Sequence, residues 1–149
     1  MMRLALYKGR GDLFDKAIRW WTKSRYSHCE LVLPNGLFLT SSPRDGGVRA
    51  KVIVPDAAQW DFIELPGLDP REVWDSFMLE LGAGYDWKGI VGSQILHLGI
   101  ESRQRWFCSE LCASLIGLDH PAQYSPGHLA VVLEDTGFHL GDPPRLQLV

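Results

Sequence analysis

The first part of the chain contains short runs in which apolar and polar residues alternate. A period of two is typical of a strand with one buried face. Glycine- and proline-containing segments such as Pro34-Asn35-Gly36 separate the runs and indicate turns. The runs that flank this turn predict an antiparallel hairpin. The predicted strands cover residues 3–8, 26–33, 37–41, 48–54 and 60–65.

Other segments have the spacing of amphipathic helices. A first helix is predicted after Asp12, with an apolar face that includes Trp21. We expect the Trp20-Trp21 pair to pack mainly on the sheet, although adjacent helical residues point about 100° apart and one ring can be exposed. Further helices are predicted from Asp69 to Gly82, from Asp86 through Leu98, from Cys108 to Gly117 and from Ser125 to Gly137, with edge strands at residues 138–140 and 145–149.

A strand-rich first half and a helical second half predict an α+β fold, in which an antiparallel sheet packs against helices. A length of 149 residues favours one domain covering residues 1–149. With 46% hydrophobic and 22% charged residues, the composition excludes a disordered or fibrous chain.

Charge and hydropathy narrow the classes of partner. The net charge of −3 argues against a nucleic-acid partner. We find no apolar run of 18 residues and no signal peptide, so we expect no integral membrane segment and a cytoplasmic location, which also fits a phage-derived protein. Three cysteines, an odd number, argue against a disulfide framework.

The candidate nucleophile is Cys108, at the predicted start of a helix. Unpaired backbone N–H groups and the helix dipole stabilise a thiolate there. His28, at the start of a strand, is the candidate base. Each residue also has a structural interpretation when it is considered alone. A cysteine often acts as a small buried apolar residue, and a histidine at a strand end often only satisfies local hydrogen bonds.

A family resemblance connects these two residues. The hairpin that begins at Ser27-His28-Cys29-Glu30 resembles the histidine-bearing hairpin of NlpC-type papain-like cysteine hydrolases, and residues 107–111 resemble their nucleophile motif. Here the histidine precedes the cysteine, which is the order in the circularly permuted branch. That branch includes the YiiX-like hydrolases and, more distantly, the lecithin retinol acyltransferase group. Residues 84–87 and 125–129 are also similar to the YiiX-like pattern.

The resemblance implies a permuted papain-like fold and a thiol hydrolase without a cofactor or metal. Cys108 would be the nucleophile and His28 the base, acting on a peptide, amide or lipid ester substrate. Tyr85 and Ser109 would contact the oxyanion or substrate.

The third residue of the site is less clearly marked. Relatives commonly carry a strong acceptor at the position of Thr40, whose hydroxyl is uncharged. Glu30 lies on the same strand face as His28, two residues away. We expect Thr40 to contact the His28 ring directly and Glu30 to act at longer range.

Three alternatives remain open at this point. One is a binding module that keeps the fold without turnover. Another is a lipid acyltransferase or thioesterase, which would use the same thiolate chemistry. The third is a zinc site built from His28, Cys29, Cys108 and Cys112, although Cys29 is expected on the opposite strand face from His28.

Overall fold

The computed structural model describes residues 1–11, 13–85, 105–137 and 140–141. The strands are β1 (Met2–Tyr7), β2 (His28–Val32), β3 (Leu37–Ser42), β4 (Gly47–Val52), β5 (Trp60–Leu65), β6 (Gly84–Tyr85), β7 (Arg105–Trp106) and β8 (Leu140–Gly141). The helices are α1 (Leu13–Thr22), α2 (Pro70–Glu80), α3 (Cys108–Ile116) and α4 (Pro126–Asp135), with a 3-10 turn at Pro121–Gln123.

One sheet joins the described strands in the order β7-β6-β4-β3-β2-β1-β5-β8. All its pairs are antiparallel except β6 with β7. The predicted α+β class and the five longer strands are confirmed. The predicted helix from Asp86 through Leu98 and the predicted strand at residues 145–149 lie outside the described residues.

The β2–β3 hairpin fixes where the strand that begins at His28 lies. Its turn requires Gly36, whose φ of 84° favours a residue without a Cβ. The N–H of Leu33 donates to the carbonyl oxygen of Leu37 at 2.9 Å. Leu31 then pairs with Leu39. The hairpin predicted from Pro34-Asn35-Gly36 is therefore present.

Capping residues determine where the helices begin and end. The Asp69 carboxylate accepts from the N–H of Arg71 at 2.8 Å at the start of α2, and Ser125 caps α4 in the same way. Gly117 ends α3 with a φ of 85°. These three helix ends confirm the sequence predictions.

The two faces of the sheet have different surroundings. One face packs against α2, α3 and α4 and forms the main core, which includes Leu6, Leu31, Leu39 and Leu111. A smaller apolar cluster, including Phe38 and Phe62, lies apart from this core. None of the described helices combines the length and apolarity that crossing a bilayer would require.

Helix α1 differs from the prediction in the face that it buries. Trp20 is largely exposed and Trp21 partly exposed, so the expectation that this pair packs mainly on the sheet is wrong. The buried residues of the helix include Asp15 and Ile18 instead. On this face the Asp15 carboxylate accepts from Arg44 at 2.6 Å, and Ile18 belongs to the main core.

Candidate active site

Cys108 is the first residue of α3, as predicted. Phe107 precedes it in an extended conformation, and the N–H of Phe107 donates to the Glu110 carboxylate at 3.3 Å. The Cys108 side chain therefore lies in the first turn, where unpaired N–H groups and the helix dipole stabilise negative charge. Cys108 is fully buried.

His28 lies between Cys108 and Glu30. Its Nε2 is 3.2 Å from Oε1 of Glu30, and the ring also interacts with the Cys108 side chain by a hydrogen bond and by charge. The structure thus brings together two residues that are 80 positions apart in the chain. A thiol, an imidazole and a carboxylate in contact can act as a nucleophile, a base and an orienting group.

Glu30 is held by Arg49 on β4. Nη1 and Nη2 of Arg49 lie 2.8 and 3.0 Å from the two carboxylate oxygens of Glu30. Nε of Arg49 donates to Asp45 at 2.8 Å. Five side chains are therefore in contact one after another: Cys108, His28, Glu30, Arg49 and Asp45. We call these five residues the charged row. It fixes the Glu30 carboxylate toward the His28 ring.

Burial and neighbouring charges set the protonation states in this row. Burial raises the pKa of Cys108, but the hydrogen bond with Cys29 and the charge of His28 outweigh it and lower that pKa to about 5. Burial lowers the pKa of His28, but the negative charge of Cys108 and the contacts with Glu30 raise it to about 10. At neutral pH the pair is therefore a thiolate and an imidazolium.

The other two cysteines, Cys29 and Cys112, lie beside Cys108. Cys29 hydrogen-bonds with the side chains of Cys108 and Cys112. Burial, followed by these contacts, raises the pKa of Cys29, so its thiol keeps the proton and donates it to the Cys108 thiolate. No disulfide joins the three cysteines. Within the described ranges, no three His, Cys, Asp or Glu side chains are arranged to hold a metal ion.

Thr40 does not make the predicted contact with His28. Its hydroxyl donates to the carbonyl oxygen of Cys29 at 2.8 Å. The β2–β3 register, continued by one residue, places Thr40 opposite Glu30. The expectation that Thr40 contacts the ring directly while Glu30 acts at longer range is therefore wrong, because the Glu30 carboxylate leans back along its strand to the ring.

Tyr85 and Ser109 have different surroundings. The backbone of Tyr85 pairs with that of Trp106, two residues before Cys108, and its side chain is outside the described part of the molecule. The Ser109 hydroxyl donates to the carbonyl oxygen of Tyr124, which ties α3 to the residue after the 3-10 turn. The Ser109 proton is thus used within the protein, and contacts of either residue with an oxyanion or substrate stay predictions.

A cavity of about 430 Å³ opens beside His28. Six charged side chains and two aromatic rings are among its lining: Asp15, Glu30, Arg44, Asp45, Arg49, Lys51, Tyr7 and Trp60. Ser27 also lines it, and the buried Ser27 hydroxyl has no hydrogen-bond partner among the residues that the structure describes. A buried hydroxyl without a partner is costly unless a ligand or water satisfies it.

Comparisons with known proteins do not assign this chain to a family. A scan against protein-family models found no match for this chain, and a search of the curated proteins found none either. The function is therefore inferred from the residues and geometry above.

The pH dependence of the free energy of unfolding should reflect the protonation states of Cys108 and His28. On folding, the pKa of Cys108 moves from 9.0 to about 5, and the pKa of His28 moves from 6.5 to about 10. The contribution of Cys108 is lost as the pH falls from 9.0 toward 5, and that of His28 is lost as the pH rises from 6.5 toward 10. Between pH 6.5 and 9.0 both states bind equal numbers of protons, so we expect a plateau in the free energy of unfolding.

Urea unfolding at closely spaced pH values measures this plateau. The variant Cys108→Ser/His28→Gln should remove the slopes that the pair causes on both sides and keep the changes caused by other groups. Slopes that are identical in the two proteins would contradict the thiolate–imidazolium assignment.

Proposed function

We propose that this protein is a thiol hydrolase with a permuted papain-like fold, which cleaves an amide or ester bond by an acyl-enzyme mechanism. The observation that carries the proposal is the His28 ring, held between the Cys108 side chain at a helix start and the buried Glu30 carboxylate. The cavity beside His28, lined by six charged side chains, favours a polar substrate such as a peptide.

The chemistry follows from the protonation states. The Cys108 thiolate attacks the acyl carbon, and the N–H of Cys108, in the first turn of α3, is suited to stabilise the oxyanion. His28 gives its proton to the leaving amine or alcohol as the bond to carbon breaks. A water molecule then gives a proton to His28 and attacks the thioester, which releases the acid and restores the thiolate.

The main alternative is a binding module with the same fold and no turnover. The observation that favours it is the burial of Cys108, whose relative exposure is 0%. A lipid acyltransferase or thioesterase would use the same nucleophile. Reagent access to Cys108 separates an enzyme from a binding module.

Alkylation by iodoacetamide tests the proposal. We expect Cys108 to be labelled before Cys29 and Cys112, at a rate that changes little above pH 6 because its pKa is about 5. In His28→Gln the pKa of Cys108 should rise, because the charge and the hydrogen bond of His28 are lost while the hydrogen bond with Cys29 remains. Alkylation at pH 6 should therefore be slower than in the unaltered protein, although a more basic thiolate is more nucleophilic and offsets part of the loss.

Peptide mapping by mass spectrometry identifies the labelled cysteine. Cys112→Ser is the matched control, since it removes a cysteine one turn further along α3. A serine hydroxyl can keep the hydrogen bond between this position and Cys29, so the rate at Cys108 should change little. A folded protein in which Cys108 stays unlabelled at every pH, while denatured protein is labelled, would favour the binding module.

A further inference from the structure

Helix α1 presents an apolar stripe to solvent. Leu13, Ala17, Trp20 and Trp21 recur at the spacing of one helical face, and we call them the outer stripe. Leu13 is 82% exposed and Trp20 is 78% exposed, and the Trp21 ring lies 6.2 Å from that of Trp20. Large apolar side chains grouped in this way on a surface indicate an interaction site.

The orientation of α1 is fixed by polar contacts on its inner side. Arg19 donates to the carbonyl oxygens of Gly9 and Arg10, and Asp15 is buried against Arg44. A helix of this composition would usually bury its tryptophans in the core. Here the buried side of the helix carries Asp15, which pairs with the half-exposed Arg44, and the apolar Ile18, so Trp20 faces outward.

The surroundings of the outer stripe are basic. From Lys8 to Arg25 the chain has six basic and two acidic residues, although the whole chain has a net charge of −3. Lys16 lies three residues from Leu13 and four from Trp20, so it flanks the stripe on the helix surface. Lys16 and Lys23 are exposed and make no ion pair with any residue that the structure describes.

We infer that α1 docks on an anionic lipid bilayer, with the outer stripe in the interfacial region and the lysines beside the headgroups. Tryptophan favours the interface because its ring is apolar and its N–H is polar. Lysine keeps its charge at the headgroups while its carbon chain covers apolar surface. Apolar insertion and attraction to anionic lipid together give surface binding without a spanning helix.

Helix α2 offers a comparison within the same chain. Leu79 on this helix is 85% exposed, which matches the exposure of Leu13. Its neighbours Glu72, Asp75 and Glu80 are acidic, and Arg71 is the one basic residue of the helix. An anionic surface would repel α2, so apolar exposure and charge favour α1 as the docking element.

Sedimentation with vesicles tests the inference. We expect the full chain to bind vesicles of phosphatidylcholine with phosphatidylglycerol, and to bind phosphatidylcholine alone much more weakly. Lys16→Gln should weaken binding about five-fold, the effect of one basic residue at an anionic surface. Trp20→Ala should weaken it roughly ten-fold through lost apolar burial. Leu79→Ala should leave it unchanged.

Several outcomes would overturn the inference. These are no binding to either vesicle, equal binding to both, and equal losses in Trp20→Ala and Leu79→Ala. A change of oligomeric state in Trp20→Ala without a change in vesicle binding would assign the stripe to a second copy of this chain.

Iodide quenching of tryptophan fluorescence measures whether solvent and lipid reach the outer stripe. Trp20→Phe should lower the share of the emission that iodide quenches in the free protein, with a remainder from the partly exposed Trp21. In the unaltered chain, vesicles should shield the Trp20 emission from iodide. Protection of Trp20 before vesicles are added would mean that another part of the chain covers it, which also overturns the inference.

Discussion

Hydrolysis of an activated ester such as p-nitrophenyl acetate should fall to the uncatalysed rate when Cys108 is replaced by alanine. In the proposed mechanism the Cys108 thiolate forms the acyl-enzyme, and the neighbouring Cys29 keeps its proton because burial raises its pKa. His28→Gln should lower turnover by about 10³-fold, since a positioned acid and base contributes on the order of 10² to 10⁴.

Two measurements check this result. Steady-state release of p-nitrophenol gives the rates, and intact-protein mass spectrometry should detect an acetyl group on Cys108 during turnover. Cys112→Ser is the control on the same helix and should keep both the rate and the adduct. Equal turnover by the unaltered protein and by Cys108→Ala would exclude the proposed mechanism.

Arg49→Met should lower the free energy of unfolding by about 3 kcal/mol, which is at the lower end of the cost of removing one partner from a buried ion pair. Glu30 is 2% exposed, and Arg49 contacts both of its carboxylate oxygens. Burial raises the pKa of Glu30, while His28 and then Arg49 lower it below its ordinary value. Removing the guanidinium leaves the buried charge with His28 as its remaining cationic partner in the charged row.

Urea unfolding at neutral pH measures the loss, and the chain offers a matched control. Lys51 lies two residues further along β4 and is exposed, with its nitrogen 3.8 Å from Asp45. An exposed pair at this distance contributes little, so Lys51→Met should change stability by less than about 0.5 kcal/mol. Similar losses in the two variants would show that burial of the Glu30–Arg49 pair has no special role.

The main elements could be predicted because their signals are local. Alternation in the strands, Gly36 in the hairpin and caps at Asp69 and Ser125 each depend on a few neighbouring residues. The two-residue strands β6 and β7 were not predicted, since pairs of this length have no period to detect.

The residue that lies opposite His28 depends on the register of the β2–β3 hairpin, and the sequence of the turn is enough to predict that register. The turn places Leu33 opposite Leu37, and counting back along both strands gives Glu30 opposite Thr40. This count would have excluded Thr40 as the residue directly across from His28. The count would not have predicted that the Glu30 carboxylate turns toward the His28 ring, because that carboxylate is held by Arg49 on a third strand.

Arg49 and Trp20 show the limits of periodicity. Arg49 falls within the strand predicted at residues 48–54, but alternation alone does not show that the β3–β4 pairing places it opposite Thr40 and within reach of Glu30. The apolar spacing of α1 predicts a buried tryptophan face, but the side that is buried carries Asp15, paired with Arg44, and Ile18. In both cases a contact between residues distant in sequence outweighs the local pattern.

The charged row has a consequence for how this protein can diverge. It begins at a sulfur that solvent does not reach and ends at Asp45, in the turn between β3 and β4. Turns accept substitutions and insertions more readily than cores do. A substitution at Asp45 would therefore reach the Cys108–His28 pair only through Arg49 and Glu30, without any change in the residues around the sulfur.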